Sequence, residues 1–178
     1  MIKLKDILLE NTAPDIFVPR RVEDRVERLV KQYIRNGSKG NLNLYEMDLV
    51  ELPAILSNVT VDGHFYCNNN KLKSLSGAPQ RVRGGFSCYS NRLTTLSGAP
   101  QHVGGNFYCY RNRLTTLSGS PQHVGGNFYC GNNLLTSLSG TPQHVGGTFI
   151  CRNNAVKFTE EQVRAVCDVK GKIFVWLN

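Results

Sequence analysis

The cysteines Cys67, Cys88, Cys109, Cys130 and Cys151 each stand 21 residues from the next. A fixed step of that size marks a solenoid, in which one short unit recurs and each copy supplies the half-core that its neighbour lacks. Other positions keep the same step. Phe65, Phe86, Phe107, Phe128 and Phe149 precede the cysteines by two, and Asn70, Asn91, Asn112, Asn133 and Asn154 follow them by three. Leu72, Leu93, Leu114 and Leu135 come next, then Leu75, Leu96, Leu117 and Leu138. Pro79, Pro100, Pro121 and Pro142 and the valines Val61, Val82, Val103, Val124 and Val145 complete the register.

Each unit reads F-x-C-x-x-N-x-L-x-x-L. Phe and Cys, two apart, predict a short strand with one face inward, and the Asn side chain bonds backbone where the chain leaves the strand. The leucines line the return path, and Gly-x-Pro with the following glycines supplies the bends. The unit resembles the leucine-rich repeat, L-x-L-x-x-N/C-x-L, with Phe and Cys in the first two leucine places, over roughly Gly40 to Asn154. "NLNLYEMDLVELP" fits as an earlier copy, with Leu42 and Leu44 as the strand pair and Leu49 and Leu52 as the return leucines. Met47 stands where Asn is expected, which predicts a first turn without its Asn bond. From Leu44 to Cys67 the step is 23, so the first return is longer. Six strands follow, stacked over roughly 25 to 30 Å.

The fold class expected is therefore an α+β repeat, a leucine-rich-repeat solenoid with one parallel β-sheet, covered at both ends. Residues 1–40 form an N-terminal helical cap, 41–157 the solenoid and 158–178 a C-terminal helix-strand cap. "RRVEDRVERLVKQYIRNG" places Val22, Val26, Leu29, Val30, Tyr33 and Ile34 on one helical face and ends at Asn36-Gly37. Thr159 and Gln162 form a capping box that opens a helix through about Val169, and the run Ile173 to Leu177 is a last strand. As an exposed edge that strand invites pairing with a second copy, a homodimer through the C-terminal end.

The formal net charge is +8, and residues 71 to 157 carry nine basic and no acidic side chains. That argues against paired-carboxylate chemistry in this stretch, and a partner of opposite sign is implied. No nucleophile elbow, phosphate loop or acid-base pair is visible, so no catalytic role, cofactor or metal is expected. The cysteines point in parallel along one ladder and form no CxxC pair, which reads as small buried hydrophobes rather than as disulfides or a zinc site. Cys167 reads as a helix residue facing the core. His102, His123 and His144, with Arg81 in register, read as a solvated ladder before each strand. No run of about 18 apolar residues is present, and Lys5, Asp6 and Glu10 interrupt the N-terminal apolar stretch, which suits a short amphipathic helix and a cytoplasmic protein.

The strand residues that face away from the core form the candidate binding surface, the concave side in this kind of stack. Tyr66, Tyr108 and Tyr129 stand between Phe and Cys; Tyr89, Tyr110 and Arg152 follow Cys; Arg92, Arg111 and Arg113 rim them. Tyr and Arg combine contact area with a polar handle, and they dominate binding hot spots. The leading expectation is a non-enzymatic protein–protein interaction module for an acidic partner. The alternative is nucleic-acid binding, with Lys71, Arg92, Arg111, Arg113 and Arg152 on phosphates and tyrosines on bases. The repeats and the "MIKLKDILLE" opening together look like small leucine-rich-repeat proteins of tailed bacteriophages, which implies an accessory factor acting on a host protein in the bacterial cytoplasm.

Overall fold

A computed structural model describes residues 22–175; the expectations for residues 1–21 and for the end of the last strand, 176–178, lie outside them. In each coil two residues suffice for a strand, because the partner is the equivalent pair one coil away. The Phe-containing pairs are β1 (Leu42–Asn43), β3 (Phe65–Tyr66), β5 (Phe86–Ser87), β7 (Phe107–Tyr108), β9 (Phe128–Tyr129) and β11 (Phe149–Ile150), with Leu42 in the Phe place of β1. They stack in parallel, and β13 (Ile173–Phe174) joins as the seventh strand.

One sheet was expected and two are present. Thr60–Val61, Arg81–Val82, His102–Val103, His123–Val124 and His144–Val145 form β2, β4, β6, β8 and β10, and with β12 (Asp168–Val169) they make a second parallel sheet of six strands. The histidines do form a ladder in register with Arg81, but as strand residues of this second sheet rather than before a strand. Pairing to the coil on each side makes these residues strands. Between the two sheets the consecutive glycines form a corner where the backbones of successive coils touch. Gly105 N–H donates to Gly84 O at 2.8 Å and Gly126 N–H to Gly105 O at 3.0 Å. A Cβ on Gly105 would lie 2.9 Å from Gly85 N, so only glycine fits that contact.

The core runs along the stack as ladders. Neighbouring Phe rings from Phe65 to Phe149 lie 5.2 to 5.5 Å apart. The repeat cysteines and the leucines Leu72 to Leu135 are buried beside them. The Asn ladder does more than turn its own chain: it stitches each coil to the preceding one. Asn91 Oδ1 accepts from Leu72 N–H at 3.0 Å, and its Nδ2 donates to Cys67 O at 3.0 Å and Cys88 O at 3.1 Å. The expectation for Met47 is corrected by this geometry. Asn70, one coil on, accepts from both Met47 N–H and Leu49 N–H at 3.0 Å, so the first turn has its bonds.

The longer first return contains a 3-10 turn, Ala54–Asn58, with Leu56 buried. Ahead of the first coil, α1 (Val22–Arg35) buries Val26, Val30 and Tyr33, while Leu29 is exposed and Ile34 half-buried. Tyr33 binds it to the coil: its hydroxyl donates to Ser38 O at 2.5 Å and accepts from Asp62 N–H at 3.3 Å. At the other end α2 (Glu160–Arg164) opens with the capping box of Thr159 and Gln162. It is shorter than predicted because Asp168–Val169 pairs with His144–Val145 as β12, and sheet pairing overrides the helix. Cys167 consequently lies past the turn that ends α2, just before β12, buried as expected. Among the described residues no helix is long and apolar enough to cross a membrane.

Candidate functional site

The outward positions of the first sheet form two rows. Strand pairing aligns Asn43, Tyr66, Ser87, Tyr108, Tyr129 and Ile150 in one. The bonds Glu46 N–H to Asn68 O, Asn69 N–H to Tyr89 O and Ser90 N–H to Tyr110 O keep the other in step, running Tyr45, Asn68, Tyr89, Tyr110. Inside the rows the rings stack on one another. Tyr89 and Tyr110 lie 4.5 Å apart and 6° from parallel, Tyr108 and Tyr129 4.7 Å apart, and Tyr108 meets Tyr110 edge to face at 6.4 Å.

Each row is interrupted once, at neighbouring places, by a residue without a ring. Ser87 separates Tyr66 from Tyr108, and Asn68 separates Tyr45 from Tyr89. The two interruptions make the floor of a groove of about 370 Å³, and the five tyrosines make its walls. Ser87 and Asn68 are each only 3% exposed.

One wall, Tyr108, and the ring stacked behind it, Tyr129, are held in place by a second set of asparagines. Asn106 Nδ2 donates to the Tyr108 hydroxyl at 2.7 Å and Asn127 Nδ2 to that of Tyr129 at 3.3 Å. Their Oδ1 atoms accept from Asn127 N–H and Thr148 N–H, each at 2.7 Å. With both the ring face and the hydroxyl fixed, the side chains are pre-organised and lose little freedom when a partner binds. Burial pushes the Tyr110 phenol up, with Tyr89 adding and Arg111 opposing, and a hydrogen bond to Glu46 pushes Tyr45 up. Both stay neutral hydroxyl groups at physiological pH.

Of the predicted site residues, Tyr66, Tyr89, Tyr108 and Tyr110 line the groove and Tyr129 stacks behind it. Arg92, Arg111 and Arg113 are exposed on the turns that leave the strands. Arg152 stands apart, beside Gly131, with its Cγ 3.7 Å from where a Cβ of Gly131 would be. The centre of the site lies one coil nearer the N-terminus than Tyr108 and Tyr110 suggest. Tyr45, Asn68, Ser87, Asn106 and Asn127 were not picked out from sequence as site residues. Tyr45 was legible, since aligning Leu44 with the ladder cysteines puts it in the row of Tyr89.

Two other places were candidates. A larger hollow of about 660 Å³ lies where α1 meets residues 49–55, and it is lined by none of these tyrosines or arginines. On the second sheet, His102 stacks on His123 at 5.0 Å and His144 Nδ1 meets Asp168 Oδ2 at 2.8 Å. Lys170 and His144 hold the Asp168 carboxyl below its usual range. Among the described residues no group of His, Cys, Asp and Glu converges to hold a metal. No known protein-family profile matches the chain, and no curated protein matches it.

Proposed function

We propose that the chain is a non-enzymatic protein-binding module whose tyrosine-walled groove and arginine rim grip an acidic partner. The solenoid is assigned to the leucine-rich-repeat type, with α1 and the α2–β13 segment as its end caps. The order F-x-C-x-x-N-x-L-x-x-L, with Phe and Cys inward on one strand and Asn at the turn, supports that assignment. The likeness to small phage proteins of this type extends the proposal to an accessory factor acting on a host protein in the bacterial cytoplasm.

The observation that carries the reading is the convergence of five tyrosines on one groove, beside arginines with no carboxylate to pair with. Lys71 reaches Asp48 at 2.9 Å and Arg83 reaches Asp62, so the basic residues nearest an acid are paired. Among the described residues Arg92, Arg111 and Arg113 form no ion pair. Charge alone also suits nucleic acid, but the rings argue for protein. Tyr89 stacks on Tyr110 at 4.5 Å and Tyr108 on Tyr129 at 4.7 Å, so these pairs spend faces on each other and the gap over Ser87 has room for one ring, whereas a strand of bases needs a run of free faces.

The test is capture from a bacterial lysate, with and without nuclease treatment, by the wild type and by Tyr89→Ala/Tyr110→Ala/Arg111→Asn. A protein retained by the wild type and lost by the variant is the expected result. Equal recovery by both sinks the groove. Partners that vanish only after nuclease treatment point to nucleic acid.

A further inference from the structure

We infer that the groove seats one aromatic side chain with a polar tip, a tyrosine or tryptophan carried on an acidic segment of the partner. Its ring enters between Tyr66 and Tyr108, and its tip reaches Asn68 and Ser87. The inference rests on the protein-binding reading and narrows it to one side-chain chemistry.

Spacing gives the first argument. Adjacent strands lie about 4.8 Å apart, so Tyr66 and Tyr108, two steps apart, leave about 9.6 Å between them. One ring placed midway has about the separation that Tyr108 keeps from Tyr129, 4.7 Å. A guest ring completes the row that Ser87 interrupts. Two rings do not fit, which again favours a single side chain over a run of bases.

The floor gives the second. Neither the Asn68 side-chain amide nor the Ser87 hydroxyl makes a hydrogen bond within the described chain, although both residues are 97% buried by their 3% exposure. No wholly buried side-chain nitrogen or oxygen in the described chain is without a partner. These atoms are therefore not sealed off, and both residues line the groove. A ring that enters the groove cuts these groups off from water, and a phenol or indole tip restores their bonds where a phenyl ring does not.

The rim gives the third. Arg92, Arg111 and Arg113 stand at the C-terminal ends of the strands that form the groove and form no ion pair among the described residues, while the acid at the groove, Glu46, is engaged by Tyr45 and Asn69. Exposed and without an ion pair within the described chain, they suit a partner whose acidic residues flank the aromatic one.

The experiment uses three end-blocked peptides, each with two glutamates on either side of a central tyrosine, phenylalanine or alanine. Binding is measured to the wild type, Ser87→Tyr, Ser87→Ala and Arg92→Ala/Arg111→Asn/Arg113→Ala. The wild type is expected to bind the tyrosine peptide roughly tenfold or more tightly than the alanine peptide, with phenylalanine between. Ser87→Tyr fills the gap with the residue its register holds on both sides, and brings the three peptides together. Ser87→Ala keeps the gap open, so the ring preference stays while the advantage of tyrosine over phenylalanine shrinks; this arm decides the matter if the larger side chain impairs folding. No ring preference in the wild type, or one that survives Ser87→Tyr, overturns the inference. In that event, peptides that all weaken with the arginine variant leave the acidic-partner reading standing, and peptides that ignore it remove that reading too. Oligothymidylate that displaces the tyrosine peptide and loses its binding in Ser87→Tyr overturns the inference in favour of nucleic acid.

Discussion

Arg111 holds a left-handed backbone with φ 53°, and its register mates Asn69, Ser90, Asn132 and Asn153 hold 55°, 52°, 53° and 58°. Asn tolerates that conformation, whereas an Arg with its Cβ against the following carbonyl loses about 1 kcal/mol by it. The unfavourable residue thus stands on the turn beside the groove, where a guanidinium serves binding rather than folding. Arg111→Asn is expected to leave urea stability unchanged or raise it by about 0.5–1 kcal/mol while weakening capture of the acidic partner. A stability loss in that variant would show that the side chain supports the fold. The left-handed turn is not readable from one Arg, but the Asn, Ser and Asn around it in the alignment of repeats point to it. Ser87 and Asn68 were legible as departures from a tyrosine row and no more. That they make a floor depends on how far the neighbouring rings stand out, which residue type alone does not give.

The ladder is the element from which this chain is built, and the cysteine ladder has a titration of its own. Burial raises the thiols of Cys67, Cys88, Cys109 and Cys130 well above the ordinary value of 9.0. Cys167, less enclosed, is pushed up to about 11. A group whose folded pKa is raised gives its full stability below the unfolded pKa and loses it as pH rises toward the folded value. Stability is therefore flat up to about pH 8 and falls above pH 9, with a slope approaching about 1.4 kcal/mol per pH unit for each thiol. Urea midpoints between pH 7 and 10.5 measure this, and Cys88→Ala/Cys109→Ala is expected to flatten the alkaline limb. Equal slopes in the two proteins would assign the limb to other groups. Ladders also explain which elements sequence reveals. Phe and Cys alternate over enough residues to announce a strand, and the first sheet was read from them. The His–Val pairs are followed at once by Gly-Gly, too short a run to alternate, so the second sheet exists only through pairing between coils. Competition of the same kind shortened α2: Val169 continues the valine ladder, and that register outweighed local helix signals.

At the scale of the whole molecule the stack has two ends and one sign of charge, and these set opposite responses to salt. Among the described residues β13 pairs only with β11, and its Phe174 is 45% exposed. That edge is where a second copy is proposed to pair, the strand edges meeting about a two-fold axis. A strand of two residues offers few backbone bonds, and two molecules of net charge +8 repel one another, so the pairing is weak. Raising salt shortens the range of that repulsion and strengthens association of like-charged copies, while it weakens the hold of the arginine rim on an acidic partner. Light scattering over a dilution series is expected to give a mass that rises with protein concentration and rises further with salt, and Phe174→Lys is expected to lower it to the monomer. A mass that stays at the monomer value at every concentration and salt removes the dimer. It leaves the groove untouched, because β13 lies three strands beyond β7 in the sheet order and supplies none of the tyrosine walls.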